Sequence, residues 1–276
     1  VTPPDGPYAD LGRPPLDGRR ITQALRRTSE LWREVHVVAR TGSTNTDLLA
    51  RAAAGEAEGI VLAAEEQFAG RGRLDRAWTA PPRSALTVSL LLRPPLPPAS
   101  RPFLPLLAGL SIVDALRARY SVDAVLKWPN DVLARDRKLA GILTESAGDA
   151  VVVGIGLNVL QRIGELPIET AVSLAALTDE PVDRSIVLLA VLRAFEARYA
   201  EWLAADGDPA ELLTAYRAAC STIGARVRVE TSAGAVIGDA IAVDERGHLV
   251  VRTDDGDRSV AAGDVIHVRR DGERRD

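Results

Sequence analysis

Lys127 and Lys138 are the only lysines among 34 basic residues, and they stand eleven positions apart in one segment. Lys127-Trp128-Pro129-Asn130-Asp131 sets a cation, an aromatic, a rigid ring and an Asn-Asp turn side by side. A proline restrains the residue before it to extended backbone, so Lys127 is expected at a strand end with a fixed side-chain direction. An ammonium is a compact point charge, whereas guanidinium is a planar fork. The compact charge suits a site that must touch a carboxylate and a phosphate oxygen at one reacting atom. A solvated strand end would carry the same residues. Lys138 opens the next strand, where a charge flanking a buried run is unremarkable.

Three more groupings carry chemistry. Thr41-Gly42-Ser43-Thr44-Asn45 puts hydroxyl and amide groups beside the free N–H groups of a helix start, which suits a polar or anionic ligand group. Ordinary helix capping uses the same residue types. In Glu66-Gln67-Phe68-Ala69-Gly70-Arg71-Gly72-Arg73-Leu74-Asp75-Arg76-Ala77-Trp78, glycines alternate with arginines inside a net-acidic chain. Backbone N–H groups there can approach a phosphate while guanidiniums clamp it. The loop is neither a Walker loop, lacking Gly-Lys-Ser/Thr, nor a complete G-x-G-x-x-G, because Asp75 replaces the third glycine. With little to bury, it is expected to stay mobile until an anion orders it. An RNA-binding Arg-Gly patch is the rival, but the motif occurs once and lacks interleaved aromatics. Gly154-Ile155-Gly156-Leu157-Asn158 is a strand whose glycines permit close approach by a ligand or another backbone.

The elements that position these groups alternate between strand and helix. Residues 1–18 are rich in Pro and Gly and read as a flexible arm, followed by a short helix over Ile21 to Leu31. Strands are expected at Glu34 to Val38, Ile60 to Ala64, Leu86 to Leu92, Leu139 to Glu145 and Val151 to Leu157, the last two joined by Ala147-Gly148-Asp149. Helices are expected over Asn45 to Ala54, over Leu104 to Tyr120 with Pro105 in the first turn, and from Asp208-Pro209 to about Cys220. Leu188, Leu192, Phe195, Tyr199 and Trp202 recur at helical spacing as one apolar stripe. After Thr222 the pattern switches to short strands at Val227–Val229, Ala240–Val243, His248–Val251 and Val265–Val268, which suggests a small β-barrel. The expected organisation is an arm and helix over 1–34, a catalytic domain over 35–220, a small barrel over 221–270 and a tail over 271–276.

Composition narrows the class. A net charge of −4 argues against bulk binding to DNA or a membrane surface. The single cysteine, Cys220, excludes an internal disulfide, and no Cys/His cluster suggests zinc. His36, His248 and His267 are far apart and each adjoins a strand-like run, so packing or surface roles are expected for them. No signal-peptide pattern is seen, and the apolar runs fall short of the roughly 18 residues of a membrane span. A cytosolic protein is the plain expectation.

Taken together and in this order, the four motifs resemble the biotin–protein ligases, from about Val38 to Asn158, with weaker similarity to Arg269. The resemblance implies a mixed β-sheet with helices mainly on one face (an α/β, or α+β, fold) plus an SH3-like C-terminal barrel. It also implies a two-step reaction: biotin and MgATP give biotinyl-5′-adenylate and pyrophosphate, then a lysine of a biotin carboxyl carrier domain of an acyl-CoA carboxylase attacks the mixed anhydride. By the same resemblance Ser43, Thr44, Asn45 and Gln67 hold the ureido end of biotin, and Arg71, Gly72 and Arg73 close over biotin and the adenylate phosphate. Lys127 contacts the biotin carboxylate and α-phosphate, with Arg73 as the second catalytic cation. Arg76, Trp128, Lys138 and Asn158 belong to the nucleotide side, Trp128 shaping its pocket and Asn158 lying near Mg²⁺. Asp75 departs from the glycine common in the family, and an acid there is expected to pair with Arg76 or Arg73 and loosen the loop's hold on the adenylate. Only about 40 residues precede the first motif, leaving no room for a winged helix-turn-helix, so a single-function ligase without operator binding is expected. A lipoate or octanoate ligase is the nearest alternative, and a non-catalytic nucleic-acid-binding module a more distant one.

Overall fold

The computed structural model describes residues 12–267, with the side chain of Asp75 left aside. The expected tail, the first part of the arm and the Asp75 pairing therefore lie outside what is described. Helix α1 (Gly18–Leu25) is capped by Asp17, whose carboxylate accepts from Arg20 N at 3.0 Å. It begins before the expected Ile21 and stops at Leu25, because Ser29 Oγ then accepts from Trp32 N and Glu196 accepts from Glu30 N and Leu31 N. Those side-chain acceptors draw the backbone out of the helix. Residues 13–16 correct the picture of a flexible arm. Arg13 pairs with Glu165 and donates to Leu160 O, and Leu16 is buried with its N–H on Glu65. These contacts are long-range and leave no periodic trace in a Pro-rich stretch.

Strand β1 (Glu34–Val38), helix α2 (Thr44–Ala53), strands β2 (Ile60–Ala64) and β3 (Ala85–Leu92), and helix α3 (Leu104–Tyr120) follow, close to expectation. Next come β4 (Ala124–Lys127), β5 (Asp131–Ala134), β6 (Arg137–Ala147), β7 (Ala150–Asn158), α4 (Arg184–Ala204) and α5 (Ala210–Ala219). Seven strands form one mixed sheet in the order β1-β2-β3-β7-β6-β5-β4, with β1 and β2 parallel and the other neighbours antiparallel. Strand β5 was not read from the sequence: it has four residues and ends at Arg135-Asp136, both with left-handed φ.

Helices α3 and α4 cover one face, and the predicted stripe of α4 is buried from Leu188 to Trp202. Helix α2 alone packs on the other face, with Leu48 and Ala52 against Leu62, Leu91 and Val152. Coverage on both sides explains why β3 is buried at all eight positions and shows no alternation. The segment Pro98–Tyr120 is long and apolar enough to cross a membrane by length and composition, against the expectation of only short apolar runs. It is a core element, two-thirds buried and packed between α4 and the sheet.

Strands β8 (Arg226–Thr231), β9 (Gly234–Val243), β10 (Leu249–Thr253), β11 (Gly256–Val260) and β12 (Asp264–His267) form a second, antiparallel sheet in the order β11-β10-β9-β8-β12. The polar edge strand β11 (GDRSV) has no apolar alternation to reveal it. Trp128 stitches the two sheets. Its indole is 1% exposed and donates to Gly247 O at 2.9 Å, and its backbone N–H donates to Thr222 Oγ1 at 3.0 Å.

A buried ion pair ties the arm to this core. Arg184 and Glu65, with side chains 2% and 8% exposed, approach to 2.7 Å, and Arg184 also donates to Ala85 O and Pro14 O. Removing one partner strands the other charge in the interior. Arg184→Met is expected to lower the unfolding free energy by about 3–5 kcal/mol in urea titrations, and Arg184→Met/Glu65→Gln to recover part of that loss. Equal destabilisation by the single and double variants would show that the stranded charge is not the cause.

Candidate active site

The four sequence groupings converge on one cavity of about 750 Å³ over the face of the large sheet that α2 packs on, bounded on one side by β12. Ser43, Thr44, Asn45, Gln67, Arg71, Gly72, Arg73, Arg76, Lys127, Lys138 and Asn158 all line it. Trp128 does not: its indole is spent on the core and on Gly247 O, so it braces Lys127 from behind instead of walling the nucleotide pocket.

At one end of the cavity lies a continuous hydrogen-bonded network. Ser43 caps α2. Thr44 N and Oγ1 donate to Gln67 Oε1 at 2.7 and 2.9 Å. Ser89 Oγ lies 2.8 Å from Thr44 Oγ1 and 2.6 Å from Asn45 Oδ1. Asn45 Nδ2 donates to Leu143 O and to Glu145, whose other contacts are with Arg71. Ser89 and Glu145 were not singled out from the sequence. The available signal was one hydroxyl inside the apolar run Leu86–Leu92, and an acid at the end of a strand. Because Thr44, Asn45 and Ser89 are buried, the network holds its donors and acceptors in fixed directions.

Glycines make the floor. A Cβ at Gly154 would fall 2.2 Å from Asn45 Oδ1, and one at Gly156 would fall 2.4 Å from Trp78 Cε2. The close approach inferred for this strand is thus made by two side chains of the protein itself. Trp78 lines the cavity, and its Nε1–H is buried without a hydrogen-bond partner among the described residues. Its place in the arginine–glycine motif was the only hint of this.

Five cations and three carboxylates (Asp131, Asp136 and Asp264) line the cavity. Three of the cations are paired. Arg71 lies 3.0 Å from Glu145, Arg76 holds Asp264 through two nitrogens, and Lys138 Nζ lies 2.7 Å from Asp131. Lys127 and Arg73 make no ion pair within 4.0 Å among the described residues. Arg73 reaches only neutral acceptors, Asn130 Oδ1 at 3.2 Å and Gly263 O at 3.4 Å. Burial pushes the Lys127 ammonium below the usual lysine range, with Asp131 and Asp264 opposing and Lys138 and Arg76 adding to the shift. Burial likewise lowers Arg73. The loop expected to await an anion forms a turn here, Gly72 N donating to Arg76 O and Leu74 taking a left-handed φ of 54°.

Asn158 is 2% exposed; its Nδ2 donates to Val172 O and Lys138 O, and its Oδ1 accepts from Gln161 Nε2. Its amide braces the backbone of Lys138. Among the described residues no group of three or more His, Cys, Asp or Glu side chains could hold a metal ion. His267, set aside in the sequence, lines the cavity from β12.

Residues 37–159 match the biotin/lipoate A/B protein ligase family, and residues 222–268 match the biotin protein ligase C terminal domain. The chain is 45% identical over 268 residues to a biotin–[acetyl-CoA-carboxylase] ligase of Mycobacterium tuberculosis, covering 94% of this chain and 98% of that one. It is 33% identical over 216 residues to the bifunctional ligase/repressor BirA of Bacillus subtilis, covering 75% of this chain and 66% of that one. Among solved structures, biotin protein ligase from Aquifex aeolicus in complex with biotin and ATP superposes with a TM-score of 0.75 at 30% identity, over 86% of this chain and 99% of that one. Motifs, fold and both matched regions agree: the chain belongs to the biotin protein ligases of the biotin/lipoate A/B protein ligase family.

Proposed function

We propose that the cavity activates biotin with ATP and passes the acyl group to a lysine of a biotin carboxyl carrier domain. The observation that carries this reading is the sorting of charge: of five cavity cations, Lys127 and Arg73 alone lack a carboxylate partner among the described residues. Joining a carboxylate to an α-phosphate brings two anions together, and unpaired, partly desolvated cations aimed at that point stabilise the transition state most. In the first step a biotin carboxylate oxygen bonds to the α-phosphorus, and the bond to the departing pyrophosphate breaks. Lys127 offsets charge at the reacting oxygens, and Arg73 does so at the phosphate.

The buried Thr44–Gln67–Ser89–Asn45 network, with Ser43 beside it, supplies donors and acceptors suited to a ureido head, which a plain aliphatic acyl tail would leave unmatched. Arg71 and Gly72 bridge this network to the loop, while Arg76 and Lys138 enclose the nucleotide side. Mg²⁺ enters as the chelate of its substrate ATP, an ion that keeps waters and phosphate oxygens and needs few protein ligands. Asn158, its amide taken up by protein partners, seats Lys138 instead of binding the ion. An acyl-CoA carboxylase subunit as acceptor is supported by the name of the Mycobacterium tuberculosis relative.

Biotin-dependent exchange of pyrophosphate into ATP tests the reading, and exchange supported by lipoate in place of biotin would overturn it. Lys127→Ala is expected to lower kcat/KM for adenylation by about 10²–10³-fold with an unchanged unfolding midpoint, because the side chain acts on developing charge and not on packing. Ser89→Ala, at a residue that does not itself line the cavity but holds Thr44 and Asn45, should weaken biotin binding by calorimetry about five- to tenfold, the equivalent of about 1–1.4 kcal/mol. A Kd unaltered by that change would remove the network from biotin recognition.

A further inference from the structure

Passing an acyl group to an amine releases a proton at the nitrogen, and none of the residues assigned so far receives it. Of the three carboxylates on the cavity wall, Asp131 and Asp264 are engaged with Lys138 and Arg76, and Asp136 acts on the ring of His267. Lys127 and Arg73 are cations. His36 lies beside Arg51 and Glu34, and His248 beside Asp244 and Ser259, both off the cavity wall. His267 is the one histidine among the described residues that lines the cavity; part of its side chain is open to solvent, while Nε2 turns in against Thr222. It is carried by β12, the strand of the second sheet that bounds the cavity.

We propose that His267 is the general base of the transfer step, an inference that rests on the ligase reading above. Its Nε2 lies 3.3 Å from Thr222 Oγ1, a fully buried hydroxyl that also accepts from Trp128 N. With Nε2–H donating to Thr222 Oγ1, Nδ1 keeps a free lone pair. That bond survives when Nδ1 is protonated, so Thr222 holds the ring in both states. The two charged groups acting on the ring are Lys127, at the end of β4, and Asp136, in the turn between β5 and β6. Burial and then the Lys127 charge lower the imidazole's pKa, and Asp136 opposes them, a balance that favours the neutral ring a base must start from.

In the step, the acceptor's neutral amine nitrogen bonds to the acyl carbon of the adenylate. The acyl carbon–oxygen bond breaks, and its electron pair leaves on the AMP phosphate oxygen. One N–H proton passes to His267 Nδ1, which returns it to water. Trp128 and Thr222 thus fix both the cation of the first step and the base of the second, through one backbone N–H and one hydroxyl.

The test is single-turnover transfer from preformed biotinyl-5′-adenylate to a biotin carboxyl carrier domain, alongside biotin-dependent exchange on the same preparations. His267→Ala and His267→Gln should slow transfer by about 10²-fold, exceeding any loss of exchange by about tenfold or more. Wild-type transfer should rise with pH through an ionisation below the ordinary histidine value. That limb should be missing in His267→Ala, and added imidazole should restore part of the rate. Equal losses in exchange and transfer, or variants that keep the wild-type rate and pH limb, would overturn the proposal. Wild-type protein without biotin-dependent exchange would instead remove the ligase reading, and the proposal with it.

Discussion

Five cationic side chains face one cavity, and the fold must hold them there before any anion arrives. Their mutual repulsion and loss of hydration are the constraint from which much of the architecture follows. Three are neutralised locally, by Glu145, Asp131 and Asp264, which lie on β6, β5 and β12. The remaining two, Lys127 and Arg73, have no ion-pair partner within 4.0 Å among the described residues, and burial lowers the pKa of both. Such a residual field is small in water but large in a partly dry cavity, and in the proposed adenylation it is the source of transition-state stabilisation.

Holding an unpaired ammonium in place requires a rigid backbone behind it. Lys127 ends β4, and the next residue, Trp128, is buried with both of its nitrogens bonded to the segment after Ser221. The second sheet is therefore part of the support for Lys127 on the first, not an appendage. Its strand β12 returns the contribution directly, since Gly263 O and Asp264 hold the arginine loop and His267 completes the wall. A Leu in the left-handed region at position 74 lets that loop turn tightly enough for Arg73 and Arg76 to reach the adjacent acceptors Gly263 O and Asp264.

The polar end of the cavity is built on a different principle. Thr44, Asn45 and Ser89 are buried, and each spends its polar atoms on a neighbour, so the ligand meets directions already set. The glycines at 154 and 156 are what allow Asn45 and Trp78 to lie against the sheet. Larger residues there would push the recognition groups off the floor.

Much of this was legible in the chain itself. Long apolar runs marked β2, β3, α3 and α4, and local motifs marked most of the cavity-lining residues, because helix capping, strand glycines and arginine loops are near-neighbour properties. The weakly patterned elements escaped: β5 is too short, β11 too polar, and the docking of residues 13–16 depends on Glu65, Leu160 and Glu165 far along the chain. By itself the sequence determined the family, the two-sheet plan and the identities of the principal charged groups. Only the tertiary structure decided which charges are cancelled, that Trp128 faces inward, that Ser89 joins the polar network, and that His267 meets Lys127 across 140 positions of chain. The reason is physical: pairing, desolvation and proton transfer act over a few ångströms of space, and sequence separation carries no record of that distance.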